Sequence, residues 1–412
     1  MQPKQNSLLS LPVIVGALGF FVDIYDLLLF SVVRKKSFAA LGVADADMQH
    51  LGENIIGWQM IGLVIGGILW GMLGDKKGRK SVLFGSILLY SAATIANGFV
   101  TTIDQYTWLR FIAGLGIAGE LGASITLTSE SLPKEKRGIA ATIIATSGVI
   151  GMITAYFVYD LSGQNWRLCY FIGGAMGIAL LLLRVGVLES KMYDSVKHAN
   201  VKMGNFFMML NNRERFIRYI RAIFIGLPVW YVIGVLISFS DKFASEFHIA
   251  GFDQPKALML QYAALAFGDM GAGFFSNYIK SRKKTLLIYY GILAVFMILF
   301  FALKGGGSAF NMYLLCMGMG FGSGISVIYI TMSAEQFGTN LRATAAISIP
   351  NLVRGCLPLI ILPLFRLLRS DIALNDFVTA AWVTGAIVMA IGFVSVLYTK
   401  ETFDREMDFL ER

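Results

Sequence analysis

The stretch Phe20-Phe-Val-Asp-Ile-Tyr-Asp-Leu-Leu-Leu-Phe30 puts two carboxylates, Asp23 and Asp26, inside an apolar run from residue 11 to residue 33. About 20 apolar residues in a helix span about 30 Å, the thickness of the hydrocarbon core of a bilayer. A charged side chain there costs at least about 2.5–3.5 kcal/mol, so it faces protein or water and marks a functional site. Three residues apart on a helix, Asp23 and Asp26 lie close to one face.

Apolar blocks of this length recur along the whole chain. Hydrophobic residues make up 56% and charged residues 15% of the 412 residues, whereas about 25% of a soluble domain is charged. The blocks are too long for membrane strands, which have about 10 alternating residues. The pattern predicts an all-α polytopic membrane protein with twelve transmembrane helices, at 11–33, 54–73, 81–100, 106–128, 138–160, 166–188, 218–240, 257–278, 284–303, 308–331, 343–368 and 374–399.

The net charge of +9 is distributed as in a membrane protein. If successive loops alternate sides, Lys and Arg concentrate on the side that carries both termini, and the basic side faces the cytoplasm. We therefore predict a lipid-embedded inner-membrane protein with both termini cytoplasmic and no nucleic-acid partner. The first apolar run is too long for a signal-peptide core and is kept as a helix.

An internal repeat divides the chain into two halves. Glu130 and Arg137 recur as Glu335 and Arg342, and Arg79 recurs as Lys284, each at an offset of 205 residues. The longest polar stretch lies between the two copies. We predict a six-helix bundle at 1–188, a cytoplasmic linker at 189–217 and a second six-helix bundle at 218–412, as parallel repeats.

Four motifs resemble those of the major facilitator superfamily. Its loop 2–3 signature is similar to Gly71-Met-Leu-Gly-Asp75-Lys-Lys-Gly78-Arg79-Lys80, where Lys76 replaces an Arg. The fourth-helix signature of its proton-coupled members resembles Arg110-Phe-Ile-Ala-Gly114-Leu-Gly116-Ile-Ala-Gly119-Glu120. The metabolite:proton and sugar:proton symporter branches have an acidic first-helix motif similar to Asp23-Ile-Tyr25-Asp26, and a closing motif similar to Glu401-Thr-Phe-Asp-Arg405.

Helix geometry puts Asp26 and Arg110 at matching depth. Asp26 lies about 22 Å above the inner boundary and Arg110 about 6 Å below the outer one, at 1.5 Å per residue. A carboxylate beside an arginine binds a proton more readily once the arginine is drawn away. We predict that this pair couples transport to protons, the role that the resemblance implies; the alternative is a structural ion pair. Asp23 either shares the proton, binds substrate or stays protonated.

The second half carries Arg354 about 16 Å above the inner boundary and Asp269 at about 12 Å. If the two pair, both are structural. If Arg354 faces a cavity, its planar fork suits a carboxylate or phosphate. Further candidates for substrate binding are Asn351, Tyr25, Trp230, Tyr231, Gln59, Gln261 and Tyr329, for which lipid or helix packing is the alternative.

A charged set is predicted at the cytoplasmic boundary. In the family the matching residues form ion pairs that close the inner gate, whereas the alternative is a set of solvated charges worth about 0–1 kcal/mol a pair. The set comprises Asp75, Arg79, Glu130, Arg137, Glu189, Arg282, Lys284, Glu335, Arg342 and Glu401. The resemblance assigns Glu120 to packing or gating, and Gly114 and Gly116 lie on the same glycine-rich face.

The sequence contains no phosphate-binding Gly-rich loop, metal-ligand spacing or nucleophile elbow. We therefore predict no enzyme activity, cofactor or metal. The prediction is a monomeric proton-coupled symporter that imports a small polar metabolite, an organic anion, by alternating access. The alternatives are a proton-coupled antiporter that exports a drug or metabolite, a symporter of a neutral sugar or zwitterionic osmolyte, and a non-transporting sensor.

Overall fold

The structure is a computed structural model that describes residues 10–44, 47–184, 206–369, 376–405 and 408–411. Within those ranges every regular element is a helix. The first half contains α1 Leu11–Ala40, α2 Met48–Lys77, α3 Arg79–Asn97, α4 Ile103–Ile117, α5 Glu120–Ser131, α6 Lys134–Leu161 and α7 Trp166–Leu183. The second contains α8 Phe207–Asn211, α9 Arg213–Tyr231, α10 Ser240–Glu246, α11 Gln254–Tyr278, α12 Arg282–Ala302, α13 Ala309–Gly322, α14 Ser326–Gln336, α15 Arg342–Cys356, α16 Leu362–Arg369 and α17 Phe377–Leu397.

These helices form twelve membrane-length segments, which confirms the predicted fold class. Nine segments in the described part of the chain are long and apolar enough to cross a membrane. The remaining three are α3, α6 and α11, with 19, 28 and 25 residues.

Local chemistry fixes where helices begin. The side chains of Thr102, Asn165, Asn212, Ser281, Ser308 and Asp376 accept hydrogen bonds from backbone N–H groups in the first turn of the helix that follows. These residue types satisfy helix N-termini that have no partner within the helix. Asn212 also explains why the seventh segment begins at Arg213, five residues before the predicted boundary.

Four segments depart from a regular helix. The fourth is broken between Ile117 and Glu120, and the tenth between Gly322 and Ser326. The second break lies 205 to 206 residues after the first, as the sequence repeat requires. The seventh and eleventh segments contain π-helical turns, Val232–Ile237 and Leu357–Ile361, next to Pro228 and at Pro358. Proline removes a backbone hydrogen bond and loosens the helix there.

The two halves repeat the same helix pairings. In the first, α2 packs on α4, and α3 packs on α4 and α7. In the second, α11 packs on α13, and α12 packs on α13 and α17. By packing, the chain forms two units, of which the first takes in Met1–Asn211, Ser333–Leu352 and Glu406–Arg412, and the second Asn212–Met332 and Val353–Arg405. The segment Ser333–Leu352 therefore packs with the first unit although it belongs to the second sequence repeat.

Candidate functional site

Asp26 of α1 and Arg110 of α4 form a buried ion pair. Arg110 Nη1 donates to Asp26 Oδ1 at 3.1 Å, and Nη2 donates to the Asp26 main-chain carbonyl at 2.8 Å. Both side chains are almost completely buried. Asp26 Oδ2 accepts no hydrogen bond from any residue that the structure describes. Arginine therefore binds only one oxygen of this carboxylate among the described residues.

An aromatic layer covers the pair on the Arg110 side. The guanidinium lies 5.9 Å from the centroid of the Tyr170 ring. The hydroxyls of Tyr170 and Tyr106 are hydrogen-bonded to each other, and the Tyr106 ring packs on Phe30 and Trp166. Apolar surroundings strengthen the electrostatic interaction because little water screens it.

Tyr25 and Tyr231 occupy equivalent positions in the two halves, and both are held by the backbone. Tyr25 donates its hydroxyl hydrogen to the carbonyl of Cys169 at 2.9 Å. Tyr231 donates to the carbonyl of Ala381. Since each hydroxyl serves a neighbouring helix, these tyrosines position helices rather than present a donor to a ligand.

Asp23 is buried three residues before Asp26 on α1. Tyr90 of α3 is close enough to interact electrostatically with both Asp23 and Glu120. Asp23 therefore belongs to a polar interior of the first unit that also contains the fourth-segment break.

Glu120, the first residue of α5, pairs with Arg184 at the end of α7. Arg184 Nη1 donates to Glu120 Oε2 at 2.8 Å, and Nη2 donates to Oε1. Ser124 also donates to Oε1, at 3.1 Å, and Arg184 donates to the carbonyl of Leu83. This doubly hydrogen-bonded pair ties α5, α7 and α3 together. The sequence predictions did not include Arg184, although it and Glu120 lie near the same end of their segments.

Three further candidates are engaged in packing within the first unit. The amide of Asn351 donates to the carbonyls of Ala118 and Ile347, both at 2.8 Å. Gln59 Nε2 lies 3.5 Å from the carbonyl of Leu27. A Cβ at Gly114 would lie 2.2 Å from the Gln59 carbonyl oxygen, and one at Gly116 would lie 2.6 Å from Tyr90 N. Only glycine permits these helix contacts.

Arg354 lies among aromatic side chains of the second unit. Its guanidinium carbon is 5.8 Å from the centroid of the Trp230 ring. Tyr262 and Tyr329 both lie within its electrostatic range. Trp230 and Tyr231 point in different directions, because neighbouring residues are about 100° apart around a helix. Tyr262 was not among the predicted candidates. Its position directly after the candidate Gln261 was the one sequence feature that pointed to it.

Asp269 and Gln261 lie on α11. Asp269 Oδ1 accepts a hydrogen bond from the backbone N–H of Val327 at 3.3 Å, and its carboxylate also accepts from Ser326. Gln261 is completely buried, and neither amide atom of its side chain has a hydrogen-bond partner among the described residues.

At the other end of the first unit, Asp75 caps a helix from a distant part of the chain. Its Oδ1 accepts from Ala343 N at 3.0 Å, and its Oδ2 accepts from Thr344 N at 2.8 Å and Thr344 Oγ1 at 2.7 Å. Ala343 and Thr344 are the second and third residues of α15. The carboxylate satisfies N–H groups that lack a partner within the helix, and it interacts favourably with the helix dipole.

Glu130 joins two arginines beside that cap. Its Oε1 accepts from Arg79 Nη2 at 3.0 Å and from Arg342 Nη1 at 2.9 Å. Arg79 also donates to the carbonyls of Gly74 and Thr339, and its Nη2 lies 3.4 Å from Asp75. We call Asp75, Arg79, Glu130, Arg342 and Thr344 the Glu130 network. All five residues are buried.

The equivalent region of the second half is built differently. Glu401 caps α12: its carboxylate accepts from the N–H groups of Arg282 at 2.9 Å and Lys283 at 3.2 Å. Arg282, rather than Lys284, is the counterpart of Arg79, because each is the first residue of its helix and buried. Lys284 is exposed, so the alignment at an offset of 205 is two residues out of register here. The arginine at the start of the helix therefore identifies the counterpart of Arg79 better than the fixed offset does.

For three members of the predicted charged set, the structure gives only a position or no description. Glu335 is buried at the end of α14. Glu189 lies outside the described residues, as does most of the predicted linker, and the side chain of Arg137 is not described.

The capping role of Glu401 predicts a pH-dependent stability. Partial burial raises the pKa of Glu401. Hydrogen bonds from the Ser281 hydroxyl and from the N–H groups of Phe403, Arg282 and Lys283 lower it by a larger amount, so the pKa is below the usual 4.5. A lowered pKa stabilises the folded state above the usual value, and that contribution is lost as the pH falls through the folded-state pKa. We expect Glu401→Gln to cost about 1 kcal/mol at pH 7.

Thermal unfolding of purified protein measures this effect. The difference from wild type disappears as the pH falls through the folded-state pKa of Glu401, which lies below its usual value, because the carboxylate of the wild type is then protonated. Glu246→Gln, at an exposed position on α10, is the matched control and leaves the unfolding temperature unchanged. A Glu401→Gln difference that persists in acid would contradict the assignment of the cap to the charged form.

Comparison with known proteins identifies the family. The Major Facilitator Superfamily profile matches residues 17–363. A 3-(3-hydroxy-phenyl)propionate transporter of Escherichia coli is 27% identical over 76% of this chain and 77% of its own. A gentisate transporter of Corynebacterium glutamicum is 24% identical over 81% and 75%. The proton:xylose symporter XylE, bound to 6-bromo-6-deoxy-D-glucose, has the same fold, with a TM-score of 0.75 and 15% identity over 96% of this chain and 97% of its own.

These matches confirm two predictions: the protein is a transporter rather than an enzyme, and it resembles the major facilitator superfamily. The helices and the pairings of the two halves agree with that assignment. The chain is a multi-pass membrane protein and belongs to the Major Facilitator Superfamily.

Proposed function

We propose that this transporter is a proton-coupled symporter that imports an aromatic carboxylate by alternating access. It acts as a monomer in the inner membrane, with both termini in the cytoplasm. Asp26 carries the coupled proton, Arg354 binds the substrate carboxylate, and the Glu130 network closes the cytoplasmic side.

The observation that carries the proposal is the geometry of the Asp26 carboxylate. Arg110 engages Oδ1 and the main-chain carbonyl of the same residue, whereas Oδ2 has no partner among the residues described. If Arg110 moves away from Asp26, the carboxylate loses its counter-charge. A buried carboxylate without a counter-charge binds a proton, because the ionised form is poorly solvated. A buried pair of this kind is a poor stabiliser, which also favours a coupling role.

The substrate class follows from the surroundings of Arg354. A guanidinium binds a carboxylate with two parallel hydrogen bonds, and the adjacent Trp230, Tyr262 and Tyr329 offer ring faces and edges that pack on an aromatic ring. Two relatives are named for gentisate and for 3-(3-hydroxy-phenyl)propionate, both aromatic carboxylates.

Proteoliposome uptake of radiolabelled gentisate tests the proposal. With one pH unit of inward proton gradient and one proton per substrate, the gradient supports about tenfold accumulation, since one pH unit is about 1.36 kcal/mol. Protein-free liposomes measure the passive entry of the protonated acid, which such a gradient also drives. Uptake that exceeds this background but does not depend on the proton gradient excludes coupling of transport to protons. Efflux of gentisate driven by an inward proton gradient identifies an antiporter.

Arg354→Gln tests the substrate site. Loss of hydrogen bonds between charged groups costs about 1.5–3 kcal/mol, so we expect gentisate to bind about 10–150-fold more weakly, as measured by titration calorimetry. Arg354→Lys keeps the charge but not the fork, and we expect an intermediate affinity. If Arg354→Gln retains the wild-type affinity, Arg354 does not bind the carboxylate.

A further inference from the structure

The tenth segment places the start of a helix inside the membrane-spanning part of the chain. α13 ends at Gly322 and the 11-residue α14 begins at Ser326, within the single span Ala309–Gln336. The first N–H groups of a helix have no partner within it, and the helix dipole adds a partial positive charge there. This N-terminus therefore attracts an anionic group.

Asp269 is the group that occupies it. Its carboxylate accepts hydrogen bonds from the N–H groups of Val327 and Ser326. The close approach depends on glycine at two positions. A Cβ at Gly324 would lie 2.2 Å from the carbonyl carbon of Gly268 and 2.3 Å from the nitrogen of Asp269. A side chain larger than hydrogen would push α11 away from the break.

Asp269 differs from Asp26 and Glu120, two carboxylates inside the spans that are paired with arginine. Asp26 is paired with Arg110, and Glu120 with Arg184. Across the ranges that the structure describes, no lysine or arginine nitrogen lies within salt-bridge distance of Asp269. An ionised carboxylate buried without a cation is costly, so the group neutralises readily by binding a proton.

The repeat shows what the second half lacks. Cys169 and Ala381, which accept from equivalent tyrosines, are 212 residues apart. The same offset applied to Arg184 leads to Val396. The second half therefore has Ser326 at the position of Glu120, by the offset of 206 between the two tyrosines, and an apolar side chain at the position of the arginine. The carboxylate at the second break comes instead from Asp269 of α11.

Two buried polar side chains near the break have no hydrogen-bond partner in the described ranges. They are Ser323, inside the break, and Gln261, whose backbone lies against Gly320: a Cβ there would be 2.3 Å from the Gln261 carbonyl oxygen. Buried hydroxyl and amide groups are nearly always hydrogen-bonded. Ser323 lies at this helix N-terminus, and its hydroxyl indicates a place where a polar ligand group binds.

The charged and titratable neighbours are few. Tyr289 of α12 donates to the carbonyl of Gly268 at 3.1 Å, and Tyr329 of α14 lies within electrostatic range of both Asp269 and Arg354. α13 has no charged residue, and the π-helical turn after α9 is wholly apolar. Further groups on packed elements are Tyr313 and Cys316 of α13 and the exposed Asp241, Lys242 and Glu246 of α10.

We propose that Asp269 is a second proton-binding residue and that its protonation frees the N-terminus of α14 for the carboxylate of an anion. The proton binds to an Asp269 oxygen, the two N–H groups pass to the incoming carboxylate, and the Ser323 hydroxyl is available to its second oxygen. The proton and the anion bind together, so the net charge at the break is unchanged, and the proton that crosses the membrane in each cycle is the one on Asp26. Two ionised carboxylates at one helix N-terminus would otherwise repel each other. The identification of this anion with the transported substrate rests on the proposed function.

Infrared difference spectroscopy of the purified protein tests proton binding without any substrate. Between about pH 9 and about pH 5, wild type should gain a carbonyl band of a protonated carboxyl that Asp269→Asn lacks and Asp26→Asn retains. Asp269→Glu shifts the band instead of removing it, which separates a lost carboxyl from a misfolded protein. A band that is unchanged in Asp269→Asn overturns the proposal.

Addition of gentisate then tests whether an anion replaces Asp269 at the N-terminus of α14 as Asp269 binds a proton, a step that we call the exchange. At a fixed pH, added gentisate increases the Asp269 band in wild type, and calorimetry in two buffers of different ionisation enthalpy detects one proton fewer taken up by Asp269→Asn. Binding that leaves both readouts unchanged overturns the exchange. If wild type shows no gradient-driven uptake, or no gentisate binding, the proposed function fails, while the substrate-free titration of Asp269 still decides whether it binds a proton.

Discussion

Asp26→Asn is expected to abolish gradient-driven accumulation of gentisate and to leave gentisate exchange intact. Asparagine is isosteric with protonated aspartic acid and cannot release a proton, so it mimics one state of the carrier permanently. Arg110 keeps its bond to the main-chain carbonyl of residue 26, which the substitution does not alter. The binding site and the conformational cycle of the loaded protein therefore remain, and only the obligatory proton movement is lost.

The expected magnitude is set by the gradient itself. At one pH unit, wild type approaches about tenfold accumulation above the protein-free background, and Asp26→Asn approaches equal concentrations on both sides. Exchange of external labelled for internal unlabelled gentisate, at equal pH, measures the retained activity. Asp241→Asn, at an exposed position on α10, is the matched control and accumulates as wild type does. An Asp26→Asn variant that still accumulates gentisate would falsify the assignment of the proton to Asp26.

The fold was predictable because membrane helices follow directly from local sequence. A span needs about 20 apolar residues whatever its neighbours are, and the repeat between Glu130 and Glu335 shows the two halves. The depth of Asp26 and Arg110 was likewise calculable, since a helix rises 1.5 Å per residue. Depth restricts which charged residues can meet, and this pair does meet.

Contacts made by backbone atoms were not predictable in the same way. Sequence reasoning compared Asp269 with Arg354 because it looked for a charged partner, whereas Asp269 binds the N-terminus of a broken helix. The break itself leaves only a weak signal, since Gly322 and Gly324 resemble the many other glycines that permit packing. Asp75 shows the same difficulty, because it caps α15 through N–H groups that every residue except proline carries.

Glu130→Gln is expected to release α15 from the first unit. Glu130 supplies the negative charge that Arg79 and Arg342 share on a single oxygen. Glutamine preserves the shape and one acceptor, but it leaves two buried guanidinium groups with less counter-charge. Removal of one partner from a buried ion pair costs about 3–5 kcal/mol. A cost of 3 kcal/mol raises the population of the released state more than about a hundredfold.

A cysteine at Ser348 reports this release. Ser348 lies on α15 and is completely buried, and Ser348→Cys changes its volume little. In Glu130→Gln we expect maleimide to label it about a hundredfold faster, because labelling follows the equilibrium population of the open form. Protein without the added cysteine corrects for Cys169, Cys316 and Cys356, which are buried. Glu246→Gln is the matched control for loss of a surface carboxylate.

A second substitution separates charge from packing. If repulsion between Arg79 and Arg342 drives the release, Arg342→Gln in the Glu130→Gln background removes one of the two cations and slows labelling again. The double variant is then less open than the sum of the two single variants predicts, and the difference measures their coupling. If Glu130 acts only as a packed side chain, removal of Arg342 disrupts its bond to the Ala334 carbonyl and speeds labelling further. Labelling that is slower in the double variant than in Glu130→Gln therefore identifies the network as an electrostatic lock on α15.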